Sequence, residues 1–222
     1  MITRGSRPHS RVRRAILGGP PLGLSGSMPT QSCVILQAST LSAAHRTVCA
    51  DLAIEALPEF YNYVAVTRSA LVQAVADEIS AEGCELSETV AMLKNGAVAG
   101  ICCSYPAEEL SSRQGISLLR LLELLPAKDQ DIFLQDVREH AASIPRIPSA
   151  THYLARIAVD RPFRGTGIAA HLLDHFLSQG EPERGWSLHV SSENERAKAF
   201  YYRHGFRTIG SSEGRFLLMT RP

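Results

Sequence analysis

One stretch of sixteen residues constrains the fold more than any other: Ala155-Arg156-Ile157-Ala158-Val159-Asp160-Arg161-Pro162-Phe163-Arg164-Gly165-Thr166-Gly167-Ile168-Ala169-Ala170. It reads as an apolar strand, a turn carrying Pro162, and a glycine-bearing opening onto a helix. A Cβ at Gly165 or Gly167 would take the space a phosphate oxygen needs, so the backbone there can lie close to an anionic ligand. The first turn of the following helix adds unpaired N–H groups and the positive end of a dipole, and Arg164 adds a fixed charge. The candidate anion cradle is therefore Arg164, Gly165, Thr166, Gly167, Ile168 and Ala169.

Three nucleotide folds use this physics. A P-loop requires Gly-Lys-Ser/Thr after the second glycine, where this chain has Ile168-Ala169. A dinucleotide fingerprint requires a third small residue three positions after the second glycine, near the start of a βαβ unit. Here the small residue comes after two positions, and the motif sits late in the chain. Neither pattern fits.

The surrounding periodicities predict a mixed α/β domain. Ser32–Ser39 reads as a strand, and Leu41–Leu57 as a helix through Ala44, Val48, Leu52 and Ala56, closed by Pro58. Thr67 is a candidate N-cap for a helix to Ile79 with Leu71, Val72, Val75 and Ile79 on one face. Glu88–Lys94 and Ala97–Tyr105 are β-rich runs joined by Asn95-Gly96, the hairpin dipeptide. Ala107–Ser143 is a helical insert, divided at Pro126, and Ile144–Pro148 is a linker. Then come a strand Thr151–Val159, a helix Arg164–Ser178, a strand Trp186–Val190, a helix Asn194–His204 and a closing strand pair, Phe206–Ile209 and Gly214–Met219.

The loop Arg164-x-x-Gly167-x-Ala169 resembles the acetyl-CoA loop of the GNAT (Gcn5-related N-acetyltransferase) superfamily, Arg/Gln-x-x-Gly-x-Gly/Ala. A second segment, 25 residues after Ala169, strengthens the match: Asn194-x-x-Ala197-x-x-Phe200-Tyr201-x-x-x-Gly205-Phe206 is similar to that family's second cofactor segment. The resemblance covers Thr151–Met219 by motif and Ser32–Tyr105 by element order; the helical insert lies outside it.

The resemblance implies a GNAT fold, a mixed central β-sheet of about six to seven strands flanked by helices, with the helical insert before the cofactor-binding strand. It implies acetyl-CoA as co-substrate, its pantetheine arm paired along Ile157, Ala158 and Val159 like an added strand. Arg164 to Ala169 would hold the pyrophosphate, and Asn194 would face the cofactor arm. The acceptor amine would attack the thioester directly in a ternary complex. Tyr201 matches the family tyrosine beside the sulfur and is the candidate general acid, since a phenol can protonate a departing thiolate. His152 is the leading candidate base because imidazole titrates near neutrality. Glu88 and a water chain ending on a carboxylate remain open as alternatives.

Charge and cysteine usage bound the setting. The net charge of +1 conceals an asymmetry: Arg4, Arg7, Arg11, Arg13 and Arg14 precede Met28 with no acid among them. With those five removed from 23 basic residues, 18 remain against 22 acidic ones, an acidic body that argues against a nucleic-acid partner. Residues 1–30 read as a dispensable, disordered basic extension, with a start at Met28 or an organellar transit peptide as other readings; residues 31–222 form the domain. No run approaches a membrane span. Cys33, Cys49, Cys84, Cys102 and Cys103 lack CxxC spacing and read as reduced thiols of a cytoplasmic protein; of the adjacent pair, one points into the core and the other away. His171 and His175 lie i, i+4 without a third ligand, so no metal site is expected.

Two functional classes follow. One is an N-acetyltransferase acting on a small-molecule amine or a protein amine, as a monomer or homodimer; the other is a GNAT-like acyl-CoA-binding regulatory module without turnover. The loop together with Tyr201 favours the enzyme.

Overall fold

The computed structural model describes residues 33–211 and 215–222, so the basic extension and Gly214 lie outside the described residues. Asn95 (φ 53°) and Gly96 (φ 81°) both take left-handed backbone, the geometry of a tight hairpin turn, and place Lys94 opposite Ala97. They join β2 (Thr89–Lys94) to β3 (Ala97–Pro106). Around this hairpin the described strands form a seven-stranded sheet of order β1-β2-β3-β4-β5-β7-β6. The others are β1 (Cys33–Gln37), β4 (His152–Val159), β5 (Trp186–Ser191), β6 (Arg207–Ser211) and β7 (Phe216–Arg221). All neighbours are antiparallel except β4 and β5. The closing strands return in reverse spatial order, with β7 inserted between β5 and β6.

Both faces of the sheet are covered. On one lie α1 (Ala43–Ala56), α2 (Pro58–Tyr61), α3 (Arg68–Ile79) and the insert, α4 (Leu110–Leu122) and α5 (Ala127–Ala142). On the other lie α6 (Ile168–Gln179) and α7 (Glu195–Arg203). Alternation sends Ile101 and Cys103 into the first core and Cys102 into the second, and the bulge that leaves Ala99 unpaired between Val98 and Gly100 turns it into the second as well. Cys102 and Cys103 are thus both buried, contrary to the expectation that one faces away. No helix among the described residues is long and apolar enough to cross a membrane.

Local signals account for most boundaries. Ser42 caps α1 by accepting from His45 N, and Thr67 caps α3 by accepting from Ala70 N. Pro58 opens α2, a short turn of helix the periodicity does not reveal. The insert breaks at Pro126 as expected, with Leu121, Leu125 and Phe133 buried and Leu119 and Ile132 exposed. On α1 the buried face is Cys49, Ala50, Leu52, Ala53 and Ile54, while Ala44 and Val48 face solvent. Gly100 on β3 lets α6 sit close to the sheet: a Cβ there would lie 2.6 Å from the Ala158 carbonyl and 3.0 Å from Leu172 Cδ1.

Candidate active site

The parallel pairing of β4 with β5 is short. It runs from His152–Trp186 to Leu154–Leu188 and stops. Beyond that point β4 keeps its partner β3 on one side and has an open edge on the other, so the two strands part around a cleft. The parting coincides with a bulge: Cys103 pairs with Arg156 but Ser104 pairs with Leu154, which leaves Ala155 as an extra residue on β4. The bulge is held from behind. Arg156 Nη1 donates to the Ala155 carbonyl at 2.7 Å, while its Nη2 donates to Glu85 Oε2 at 3.1 Å.

Alternation decides which main-chain groups reach the open edge. Asp160 N donates to Ala99 O, so the Asp160–Ala99 and Ala158–Ile101 positions exchange hydrogen bonds across the strand pair. Ile157 and Val159 therefore turn their N–H and C=O groups toward the cleft. Of the three expected pairing residues, Ala158 is committed to β3.

The glycine loop closes the far end of this edge. Gly165 (φ 80°) and Gly167 (φ 87°) are left-handed, and Gly167 is the N-cap of α6. A Cβ at Gly165 would meet no protein atom within 4 Å, so this glycine serves its backbone angle and leaves open space beside it. Helix α6 begins at Ile168, four residues later than the expected start at Arg164, and buries Ile168, Leu172, Leu173 and Phe176. Its N-terminus points its free N–H groups at the cleft end. Arg164 lies across the edge, with Nε donating to the Val159 carbonyl at 2.9 Å and Nη2 3.3 Å from Glu55 Oε2.

Tyr201 lies on α7 in the cleft wall, 6% exposed, against Phe200 and Phe206. Burial, then the nearby Cys102 thiol and Tyr153 phenol, push its pKa well above the usual phenol value, so it holds its proton at neutral pH. Asn194 also borders the cleft, but its side chain is engaged: Oδ1 accepts from Ala197 N and caps α7.

His152 and Glu88 are elsewhere. His152 stacks on Phe176 on the α6 face, with Nε2 3.2 Å from Ser104 Oγ. Both residues line a separate hollow beside Glu109 and Arg113, and Glu88 pairs with Arg113. The reason is parity: one step along a strand changes the face, and residue 152 points away from the side where residue 153 points.

That neighbour, Tyr153, lines the cleft together with His189 of β5. Tyr153 OH and His189 Nδ1 are 3.3 Å apart, and His189 Nε2 is 2.7 Å from the Pro145 carbonyl. Burial lowers the His189 pKa below its ordinary value, so the ring is neutral at pH 7. A carbonyl only accepts, so Nε2 carries the hydrogen and Nδ1 accepts from the Tyr153 hydroxyl. Sequence reasoning did not single out this pair. The available signal was one imidazole inside the apolar run Trp186–Val190.

The cleft has a volume of about 1350 Å³ and is lined from the glycine loop to Pro58 and Glu59 of α2, Leu110 and His140 of the insert, and Ile144 of the linker. The cysteines take no part in it. Burial raises the thiols of Cys49 and Cys103 to about 12 and that of Cys102 further, so they stay protonated.

Comparison with known proteins agrees with this geometry. Residues 113–216 match the family described as an acetyltransferase (GNAT) domain. Over 69 residues the chain is 35% identical to the 5-NmdU N-acetyltransferase of Pseudomonas phage PaMx11. That match takes in 31% of this chain and 47% of the relative, so the chain spans about half the length of the curated protein it matches. An N-acetyltransferase from Staphylococcus aureus Mu50 superimposes with a TM-score of 0.66 at 20% identity, covering 84% of this chain and 99% of the other. A second solved acetyltransferase gives 0.61 at 20% identity, covering 85% and 98%. At such identities the likeness is one of fold.

Proposed function

We propose that this chain, whose residues 113–216 match the acetyltransferase (GNAT) domain, transfers an acetyl group from acetyl-CoA to an amine. The observation that carries the reading is the open edge of β4. Past Leu154 that edge offers the N–H and C=O of Ile157 and the N–H of Val159 to an extended ligand, the Val159 carbonyl being held by Arg164, and it ends at the two left-handed glycines and the N-terminus of α6. A pantetheine arm pairs with such an edge as an extra strand, and a pyrophosphate suits the loop and helix end.

The chemistry follows from what lies along the edge. The Ile157 N–H, first past the bulge on the open side, donates to the thioester oxygen as charge builds there. The acceptor nitrogen attacks the thioester carbon and gives up one proton, the C–S bond breaks, and Tyr201 donates its proton to the departing sulfur; the nitrogen's proton in turn restores the Tyr201 phenol, leaving an amide and CoA. The N-acetyltransferase activity in the name of the phage relative supports an amine as acceptor. We assign the protein to the cytoplasm, which free thiols at Cys49, Cys84, Cys102 and Cys103 support, with a small-molecule or protein amine as its partner.

The test is calorimetric titration with acetyl-CoA, followed by CoA thiol release over a panel of primary amines. Binding with amine-dependent release is expected. A folded protein that binds no acetyl-CoA contradicts the proposal.

A further inference from the structure

We propose that Tyr153 and His189 form the proton relay that takes the nitrogen proton from the acceptor, with the Pro145 carbonyl fixing the imidazole. This rests on the acyltransferase reading above.

The two sides of the cleft divide the work. Tyr201 belongs to the core under α6 and α7, and Tyr153 to the core under α1 and the insert. Both phenols reach the one cleft that opens where β4 and β5 part. An acyl carbon held at the parting therefore has Tyr201 on the side of α6 and α7, where the proposed reading puts the leaving sulfur, and Tyr153 on the side of α1 and the insert, left for the acceptor.

As the C–N bond forms, the nitrogen becomes cationic and strongly acidic. Tyr153 Oη accepts its proton while the phenol's own hydrogen passes to His189 Nδ1, giving an imidazolium whose Nε2–H stays on the Pro145 carbonyl. The tetrahedral adduct then collapses, the C–S bond breaks, and the thiolate takes the Tyr201 proton. The imidazolium proton returns the system to its starting state when it reaches the Tyr201 phenolate. The sum is amine plus acetyl-CoA to amide plus CoA, with no other reactant. Tyr153 is the catalytic group of the pair, and His189 positions and drains it.

Little else competes for this hydrogen bond. Tyr105 packs edge-on against Tyr153, and Glu85 and Arg156 bear on it as a mutually paired couple, with the Cys103 thiol behind. His189 meets the Tyr153 ring and the Pro145 carbonyl. Because Pro145 lies in the linker leaving α5, the helical insert sets the tautomer of the relay.

Two measurements decide the matter. In the wild-type full chain with acetyl-CoA bound, ¹⁵N NMR of the His189 ring should show the neutral Nε2–H tautomer at pH 7 and a pKa below about 6.5. An Nδ1–H tautomer overturns the relay, whether or not any amine turns over. With the panel amine that releases most CoA among benzylamine, spermidine and a free-N-terminal peptide, His189→Gln and Tyr153→Phe should each lower kcat roughly 10²–10³-fold. His189→Gln should also abolish the acidic limb of the kcat/KM profile, and acetyl-CoA affinity should stay unchanged. Either variant keeping kcat within about twofold of wild type overturns the relay while leaving the acyltransferase reading intact. Wild-type protein that fails to bind acetyl-CoA overturns both.

Discussion

Arg156 and Glu85, 71 positions apart in the chain, meet at 3.1 Å with side chains only 5% and 7% exposed. The same guanidinium holds the carbonyl of the bulged Ala155, so a buried ion pair behind the sheet fixes the place where β4 leaves β5. Breaking such a pair from one side strands a charge in the core, at a cost of about 3–5 kcal/mol. Glu85→Gln or Arg156→Met should lose stability on that scale in denaturant titrations. The double replacement by apolar residues should lose less than the sum. A single-variant loss under about 1 kcal/mol would show that the pair does not hold the bulge.

Tyr201→Phe removes one hydroxyl from a position in the cleft wall and leaves the packing against Phe200 and Phe206 in place. Acetyl-CoA affinity should be unchanged, and kcat should fall roughly 10²-fold or more, since general-acid help to the sulfur is lost. Parallel loss of affinity and rate would instead point to a packing role.

Glu55 sits 3.3 Å from Arg164, on the charge expected to meet the pyrophosphate. Both side chains are partly exposed, at 36% and 42%, so the pair itself is weak. Glu55→Gln should free Arg164 and tighten acetyl-CoA binding about two- to fivefold, with the gain shrinking as salt rises. Gly167→Ala should act in the opposite direction, because a Cβ at φ 87° strains the start of α6. Unchanged affinity in both variants would remove the loop from the binding site.

Glu78 is buried, and burial first, opposed by hydrogen bonds from Ser117 and Leu86 N, holds its pKa up at about 7. The unfolded chain titrates this group near 4.3, so between that pH and about 7 the folded state binds more protons than the unfolded one. Stability contributed by the protonated form is therefore present below about pH 4.3 and is lost as pH rises through 7. Glu78→Gln keeps an oxygen for Ser117 Oγ and should flatten this part of the profile, gaining roughly 3–4 kcal/mol relative to wild type at pH 8 over pH 4. A wild-type profile that rises from pH 5 to 8 in step with the variant would contradict the shift.

Legibility in the sequence divides along one physical line. Features set by backbone angles or by period were readable: the Asn95-Gly96 turn, the Thr67 cap, the break at Pro126 and the strand–glycine–helix cradle. The face of α1 was misread because its small residues do not discriminate; Ala50 and Ala53 are buried where Ala44 is not. The back of the site was not readable at all. Glu85, in the turn before β2, with Arg156 of β4, and Tyr153 of β4 with His189 of β5, are pairs of ordinary residues far apart in the chain, brought together only by strand order and by a one-residue bulge. That bulge also turns Arg156 to the same side as Ala155, a parity shift no alternation pattern announces.

The central claim is that the edge of β4 past Leu154 receives acetyl-CoA as an added strand, and amide hydrogen exchange read residue by residue tests it directly. In the free protein the Ile157 and Val159 amides should exchange quickly, while Ala158, bonded to β3, is protected. Saturating acetyl-CoA should slow exchange at Ile157 and Val159 and leave Ala158 nearly unchanged. Binding that leaves Ile157 and Val159 as fast as in the free protein would contradict the account.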